Sequence, residues 1–302
     1  MKGNFAGIVV LISLSVAVSC SNNKVQDYDT PLKGTIHISV DESFKPVIDE
    51  EIKVYESSYP DAHIIPEYKS QADCFRDLQQ DSTRMIIVAR GLTDEEDKYY
   101  RVKLGYKASW DLVAYDAVSM IVNENCKDSV FTIVQLKKLL SDSLSKLEAV
   151  VDGNNATSTV RFLIDSVLHG KNFGRNVHAA QGSKAVLDYV SANENAVGFV
   201  GSGWVGNDED PDQRAYDNKI RLALLECAPC GKNYFAKPSQ ESITYGWYPL
   251  VRPLYYVLKE NYAGLGTGFS GFLGLERGQL IFRRANLVPA KMDFKIRRSN
   301  IQ

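Results

Sequence analysis

Histidine, tryptophan and methionine are scarce in this chain, with four, three and four residues among 302. Strong net charge is absent as well, because 35 Lys and Arg face 37 Asp and Glu. Each shortage excludes something. Balanced charge leaves no basic surface of the kind that nucleic acid requires. His37, His63, His169 and His178 show no ligand spacing, and a zinc site would need a second ligand pair that the sequence does not supply. Five cysteines are too few to serve as a disulfide scaffold in so long a chain. There is no serine nucleophile elbow and no carboxylate pair with an evident catalytic role. Internal repeats and low-complexity tracts are missing too. No enzyme activity, metal or cofactor is therefore expected. The 44% of hydrophobic residues suffices for one large core or two smaller ones.

One short apolar run, Ile8 to Val18, is about half of the roughly 20 residues that span a bilayer. It ends in Ala17-Val18-Ser19-Cys20 and gives way to Ser21-Asn22-Asn23-Lys24. This resembles a bacterial lipoprotein signal, in which small residues admit a peptidase that cuts before a diacylated cysteine. Residues 1–19 are expected to be the signal peptide, Cys20 the lipidation site and 20–33 a mobile tether. Loss of 1–19, whose only charged side chain is Lys2, takes the formal charge from −2 to −3. The protein is expected to be exported, held on the periplasmic side of the cell envelope by lipid alone, and monomeric.

From Gly34 onward, short β-branched runs alternate with longer amphipathic segments, the pattern of α/β units. Strands are predicted at 35–40, 62–68, 85–89, 117–122, 149–151, 197–200, 220–225 and 254–258. Helices are predicted after Ser43 and at 74–78, 133–140, 160–168, 184–192 and near 269–277. Asn207 to Asp212 reads as a solvated turn, since it lacks the spacing and final glutamate of a calcium loop.

Several helices open on small hydroxyl or amide residues: Ser43 before Phe44-Lys45-Pro46, Ser70-Gln71, Thr157-Ser158-Thr159 and Gln181-Gly182-Ser183. Taken singly they are helix caps. If they converge, free N–H groups and hydroxyls make a site for a tetrahedral anion. Arg90 and Arg161 are the natural charged partners, although each alone fits a surface ion pair. Gly201-Ser202-Gly203-Trp204-Val205-Gly206 matches a dinucleotide-binding glycine pattern but is followed by an acidic turn rather than a helix, so a tight turn beside a partner segment is expected instead. Cys227-Ala228-Pro229-Cys230 has the form of a thiol oxidoreductase motif. The residues after it read as a loop, so a local disulfide or two unpaired thiols fits better than catalysis. The redox state of Cys74 and Cys126 is left open.

Certain segments, taken in order, resemble the PstS-type phosphate-binding proteins of ABC transporters, in their Bacteroidetes-like lipoprotein form. They are 40–47 (Val-Asp-Glu-Ser-Phe-Lys-Pro-Val), 89–96, 115–123, 155–161, 182–186, 196–200 and Tyr248-Pro249-Leu250-Val251-Arg252-Pro253. The resemblance implies the type II periplasmic-binding-protein fold, with two α/β lobes and the ligand in the cleft between them. Lobe one would be 34–117 with 246–302, and lobe two 118–245. It also implies inorganic phosphate as ligand and an ABC permease as partner. Ser43, Phe44, Ser70, Gln71, Arg90, Thr157, Ser158, Thr159 and Arg161 would form the phosphate site. Two departures stand out: the family's acceptor aspartate after the third strand is replaced by Val88-Ala89-Arg90, and its arginine before the hydroxyl cluster by Asp152-Gly153. Sulfate or molybdate is the alternative ligand, sensing the alternative to transport, and a thiol oxidoreductase the alternative class.

Overall fold

The computed structural model describes residues 29–141, 146–154, 156–207 and 209–292. The segment 1–19, Cys20 and the tether up to residue 28 lie outside the described residues. The chain opens with strand β1 (Gly34–Asp41), a 3-10 turn (Glu42–Phe44) and helix α1 (Lys45–Ser58). Pro46 sits in the first turn of α1, where its missing N–H costs nothing. There follow β2 (Ala62–Lys69), α2 (Gln71–Leu78), β3 (Met85–Val88), α3 (Asp94–Leu104) and β4 (Ser109–Asn123). Next come β5 (Val130–Phe131), α4 (Ile133–Ser141), β6 (Glu148–Val151), α5 (Ser158–Phe162), β7 (Val177–Ala179), α6 (Ser183–Ala192) and β8 (Ala196–Gly201). The rest comprises α7 (Pro211–Arg214), β9 (Ile220–Leu222), β10 (Leu224–Glu226), β11 (Phe235–Ala236), α8 (Gln240–Thr244), β12 (Val251–Leu258), α9 (Leu265–Gly274), α10 (Glu276–Arg284) and β13 (Val288–Pro289).

Strand order in the main sheet is β2-β1-β3-β12-β4-β8-β6-β7. β1 runs parallel to β2 and β3, and β12 lies antiparallel between β3 and β4. The long strand β4 changes partner midway. Ser109 to Ala117 pair with β12, whereas Val118 to Val122 pair with β8, which is parallel to β6. One strand thus serves two half-sheets. Each half is covered on both faces, and the inner strands β3 and β8 are buried along their whole length, whereas β1 over its first half and the edge strand β2 alternate. Ile38, Val40, Ile48, Phe269 and Phe282 fill one face of the first half, and Cys74, Leu78, Ile86 and Tyr100 the other. In the second half Val118, Met120, Leu139 and Phe199 pack on one side, and Val186, Leu187 and Val190 of α6 meet Ile121 and Val150 on the other.

Several elements differ from the sequence reading. β4 begins eight residues before the predicted 117 because charged and aromatic residues interrupt its apolar pattern. The predicted strand 220–225 is two strands, β9 on β4 and β10 on β5. The helix read at 160–168 is α5 continued by a π-helical turn, Leu163–Val167. The helix near 269–277 is a pair, α9 and α10, broken at Leu275, whose extended backbone ends the first. α3 was not predicted at all: it is strongly charged and buries only Tyr100, but Thr93 and Glu96 form its capping box. The end of the tether is fixed rather than mobile. Asp29 accepts two hydrogen bonds from Arg84, at 2.9 and 2.7 Å, and one from the Leu265 amide at 3.1 Å. The Tyr55 hydroxyl donates to the Pro31 carbonyl. Among the described residues no helix is long and apolar enough to cross a membrane.

Cys227 and Cys230 are bonded to each other, with Cα atoms 5.4 Å apart. Their segment is a 3-10 turn, not the start of an α-helix, so no helix dipole is available to activate a thiol there. Cys74 and Cys126 are buried and form no disulfide among the described residues.

Candidate functional site

Polar groups are buried where the half-sheets meet, at the carboxyl ends of β1, β6 and β8, the end of an α/β sheet at which ligands bind. The central one is Arg252 of β12, only 1% exposed. Its partner on the neighbouring strand is Asp116 of β4, and strand register sets the two directly opposite. Arg252 Nε donates to Asp116 Oδ2 at 2.9 Å, and Nη2 lies 2.8 Å from the same oxygen. Nη1 reaches Ser158 Oγ at 2.8 Å and Thr159 Oγ1 at 3.1 Å, and the guanidinium lies over the Phe44 ring at 4.8 Å. The other Asp116 oxygen accepts the amide and hydroxyl of Ser202, at the end of β8.

Ser43 comes into this cluster from the turn after β1. Asp41 Oδ1 caps the Ser43 amide at 3.1 Å, which fixes the turn. Ser43 Oγ then lies 3.3 Å from both Ser158 Oγ and Thr159 Oγ1, and donates to Asp152 Oδ2 at 3.2 Å. The other Asp152 oxygen accepts the Thr157 hydroxyl at 2.7 Å, and Thr157 caps α5 through the Val160 amide. Burial pushes the Asp41 carboxyl above its ordinary range, with Arg252 opposing. Among the described residues Asp41 Oδ2 has no hydrogen bond, and Arg252 Nη2 has none beyond its 2.8 Å ion pair with Asp116.

A second contact lies alongside. Glu42 accepts the Ser183 amide on both carboxylate oxygens and the Ser183 hydroxyl at 2.8 Å. Burial raises the Glu42 carboxyl despite these bonds. Trp204 Nε1 donates to the Ser43 carbonyl at 3.1 Å. This accounts for the glycine-rich segment, since a Cβ on Gly201 would stand 2.7 Å from that carbonyl oxygen.

The predicted site residues divide. Ser43, Phe44, Thr157, Ser158 and Thr159 converge. Ser70 caps α2 through the Asp73 amide, and Gln71 accepts the Ala89 amide at 2.9 Å. Their turn nonetheless faces the hydroxyl cluster's loop, since the Ala72 amide donates to the Ala156 carbonyl at 3.2 Å. The two predicted arginines stand elsewhere. Arg90 lies over the Phe75 ring and binds Glu96 at 2.7 and 2.9 Å. Burial raises Glu96, but Arg90 and Thr93 outweigh it and hold that carboxyl below its usual range. Arg161 is exposed, 3.9 Å from Asp165. Sequence reasoning gave no role to Asp41, Glu42, Asp116, Ser202 or Arg252, and treated Asp152 only as a departure. The available signal was a charged residue inside an otherwise apolar strand, Asp116 within Val113 to Val122 and Arg252 within Leu250 to Leu258, where burial demands a partner.

Chemically, hydroxyls that donate or accept, one guanidinium that only donates, and carboxyl groups that accept hydrogen bonds from Ser43, Thr157 and Ser202 supply the donors and acceptors that a small polar ligand with acceptor oxygens and a proton would need.

The family model for the PBP superfamily domain matches residues 26–275. The phosphate-binding protein PstS of Pseudomonas aeruginosa is 24% identical over 260 residues, 78% of this chain and 76% of that protein. A phosphate ABC transporter substrate-binding protein from Clostridium perfringens, solved with bound phosphate, superposes with a TM-score of 0.71 at 20% identity. It matches over 85% of this chain and all of that one. An ABC-type phosphate transport receptor from Vibrio cholerae gives a TM-score of 0.60 at 18% identity, with 85% and 100% coverage. The resemblance expected from the motifs is thus met in both sequence and fold.

Proposed function

The chain belongs to the PBP superfamily and has the α/β fold of type II periplasmic binding proteins, and from that premise we propose that it captures inorganic phosphate between two lobes and delivers it to an ABC permease. The observation that carries this reading is the convergence of Ser43, Ser158 and Thr159 hydroxyls on Arg252 beside Asp152 and Asp41. The guanidinium and hydroxyls suit the oxygens of an anion, while the buried carboxylates suit one that brings its own proton. Hydrogenphosphate carries such a proton at neutral pH and sulfate does not, so the acceptors favour the first by leaving the second repelled. Arg252 takes the charge role first sought in Arg90 and Arg161.

The switch of β4 from β12 to β8 between Ala117 and Val118 supports the expected boundary between the lobes at that point, while Tyr248 and Leu250, expected in lobe one, pack in the core of the second half. No covalent step is involved. Anchoring through lipid on Cys20 belongs to the same reading, and Cys20→Ala is expected to move the protein from the membrane to the soluble fraction on cell fractionation.

Calorimetric titration of anion-free protein tests the ligand. Phosphate is expected to bind at one site with sulfate at least about 100-fold weaker, and Ser158→Ala or Thr159→Ala to weaken phosphate about 10- to 150-fold, the worth of one hydrogen bond to a charged group. Silence toward phosphate would sink the reading.

A further inference from the structure

The turn Glu42–Phe44 presents two neighbouring side chains to the other half of the molecule, and only one of them belongs to the anion site. Ser43 goes to Ser158, Thr159 and Asp152. Glu42 goes to α6, 141 positions later in the chain, where its carboxylate spans the Ser183 amide at 3.1 and 3.2 Å and the Ser183 hydroxyl at 2.8 Å. The receptor for this carboxylate is built. Ser183 is fully buried and opens a ten-residue helix whose apolar face is packed into the second half-sheet. Gly182 before it has φ +89°, and a Cβ there would stand 3.1 Å from Glu42 Oε1. Only glycine takes this backbone without strain and leaves the carboxylate room to approach.

The two contacts are linked through the backbone. The Gly182 amide donates to the Asp152 carbonyl at 3.2 Å, and the Asp152 carboxylate holds Ser43. Glu42, Ser183, Gly182, Asp152 and Ser43 therefore form one hydrogen-bonded ring across the seam. Glu42 bears the sign of the ligand and its oxygens are taken up by α6, so it has no bond to offer an anion.

Resting on the phosphate reading, we propose that Glu42 and Ser183 are a clasp that holds the halves together beside the anion site, positions Ser43 against Ser158 and Thr159, and sets how slowly the anion escapes. Because the clasp forms only after the halves meet, its loss acts on release rather than on capture.

The test uses the full chain with spin labels at the exposed positions Val102→Cys and Val134→Cys, one in each half. Distances are measured with and without phosphate, and stopped-flow release of phosphate is followed in parallel. Glu42→Ala is expected to shift the distance distribution toward longer values and to speed release roughly 10- to 100-fold, with association within about 2-fold. Glu42→Gln and Ser183→Ala should fall in between, since each keeps part of the contact. If Glu42→Ala fails to fold, those two variants carry the test. Unchanged distances together with unchanged release in the folded variants overturn the clasp. A parent protein that binds no phosphate counts against the ligand reading alone, because the distances still report the clasp, and a parent then found only open overturns the clasp as well.

Discussion

Glu51 of α1 is fully buried, and neither of its carboxylate oxygens has a hydrogen-bond partner among the described residues. Burial alone pushes its carboxyl well above the ordinary value. A raised folded-state pKa means that the folded chain holds this proton more tightly than the unfolded one. The resulting stability is complete below the unfolded value and is lost as pH rises through the folded one. Glu51→Met is therefore expected to stabilise the protein at pH 8 by about 1–3 kcal/mol, the usual cost of an unpaired buried polar group, with the gain shrinking toward pH 4. Urea melts of both proteins across that range check it. Arg252 is the opposite case, a buried charge with a partner at each of its three side-chain nitrogens. Residues of both kinds were hard to read in the sequence. The hydroxyls of 157–159 announced themselves as a helix start, whereas Arg252 depends on Asp116, 136 positions away, and only the pairing of β12 with β4 brings the two together.

Among the elements, long apolar strands were legible and their boundaries were not. Met85–Val88 is buried throughout and reads as a strand from composition alone. α3 escaped because helical periodicity needs an apolar face, and this helix relies on its capping box and on Gly105 in the left-handed region to end it. The end of β8 shows how tightly neighbouring elements are fitted. Gly201 has an ordinary φ of −61°, so an added methyl group would strain contacts rather than backbone. Gly201→Ala is expected to force β8 away from the Ser43 carbonyl. Phosphate binding should weaken by about 1–3 kcal/mol, the range for overpacking a close fit, and calorimetry of the variant measures it.

For the whole molecule, the ion pair of Asp29 with Arg84 fastens the start of the described chain to the first half. Arg84 also lies 3.1 Å from the buried Glu260, whose oxygens accept the Gly266 and Thr267 amides at the start of α9. Arg84→Ala is expected to free residues 29–33 for proteolysis, with phosphate affinity changed by less than about 2-fold, because Arg84 lies outside the cluster. Limited digestion followed by mass spectrometry and a titration reads both effects. With that fastening intact, any tether on the amino end would leave from the first half. If the halves part on release, the root of the tether would stay with the first half while α6 and the 156–159 loop move relative to it.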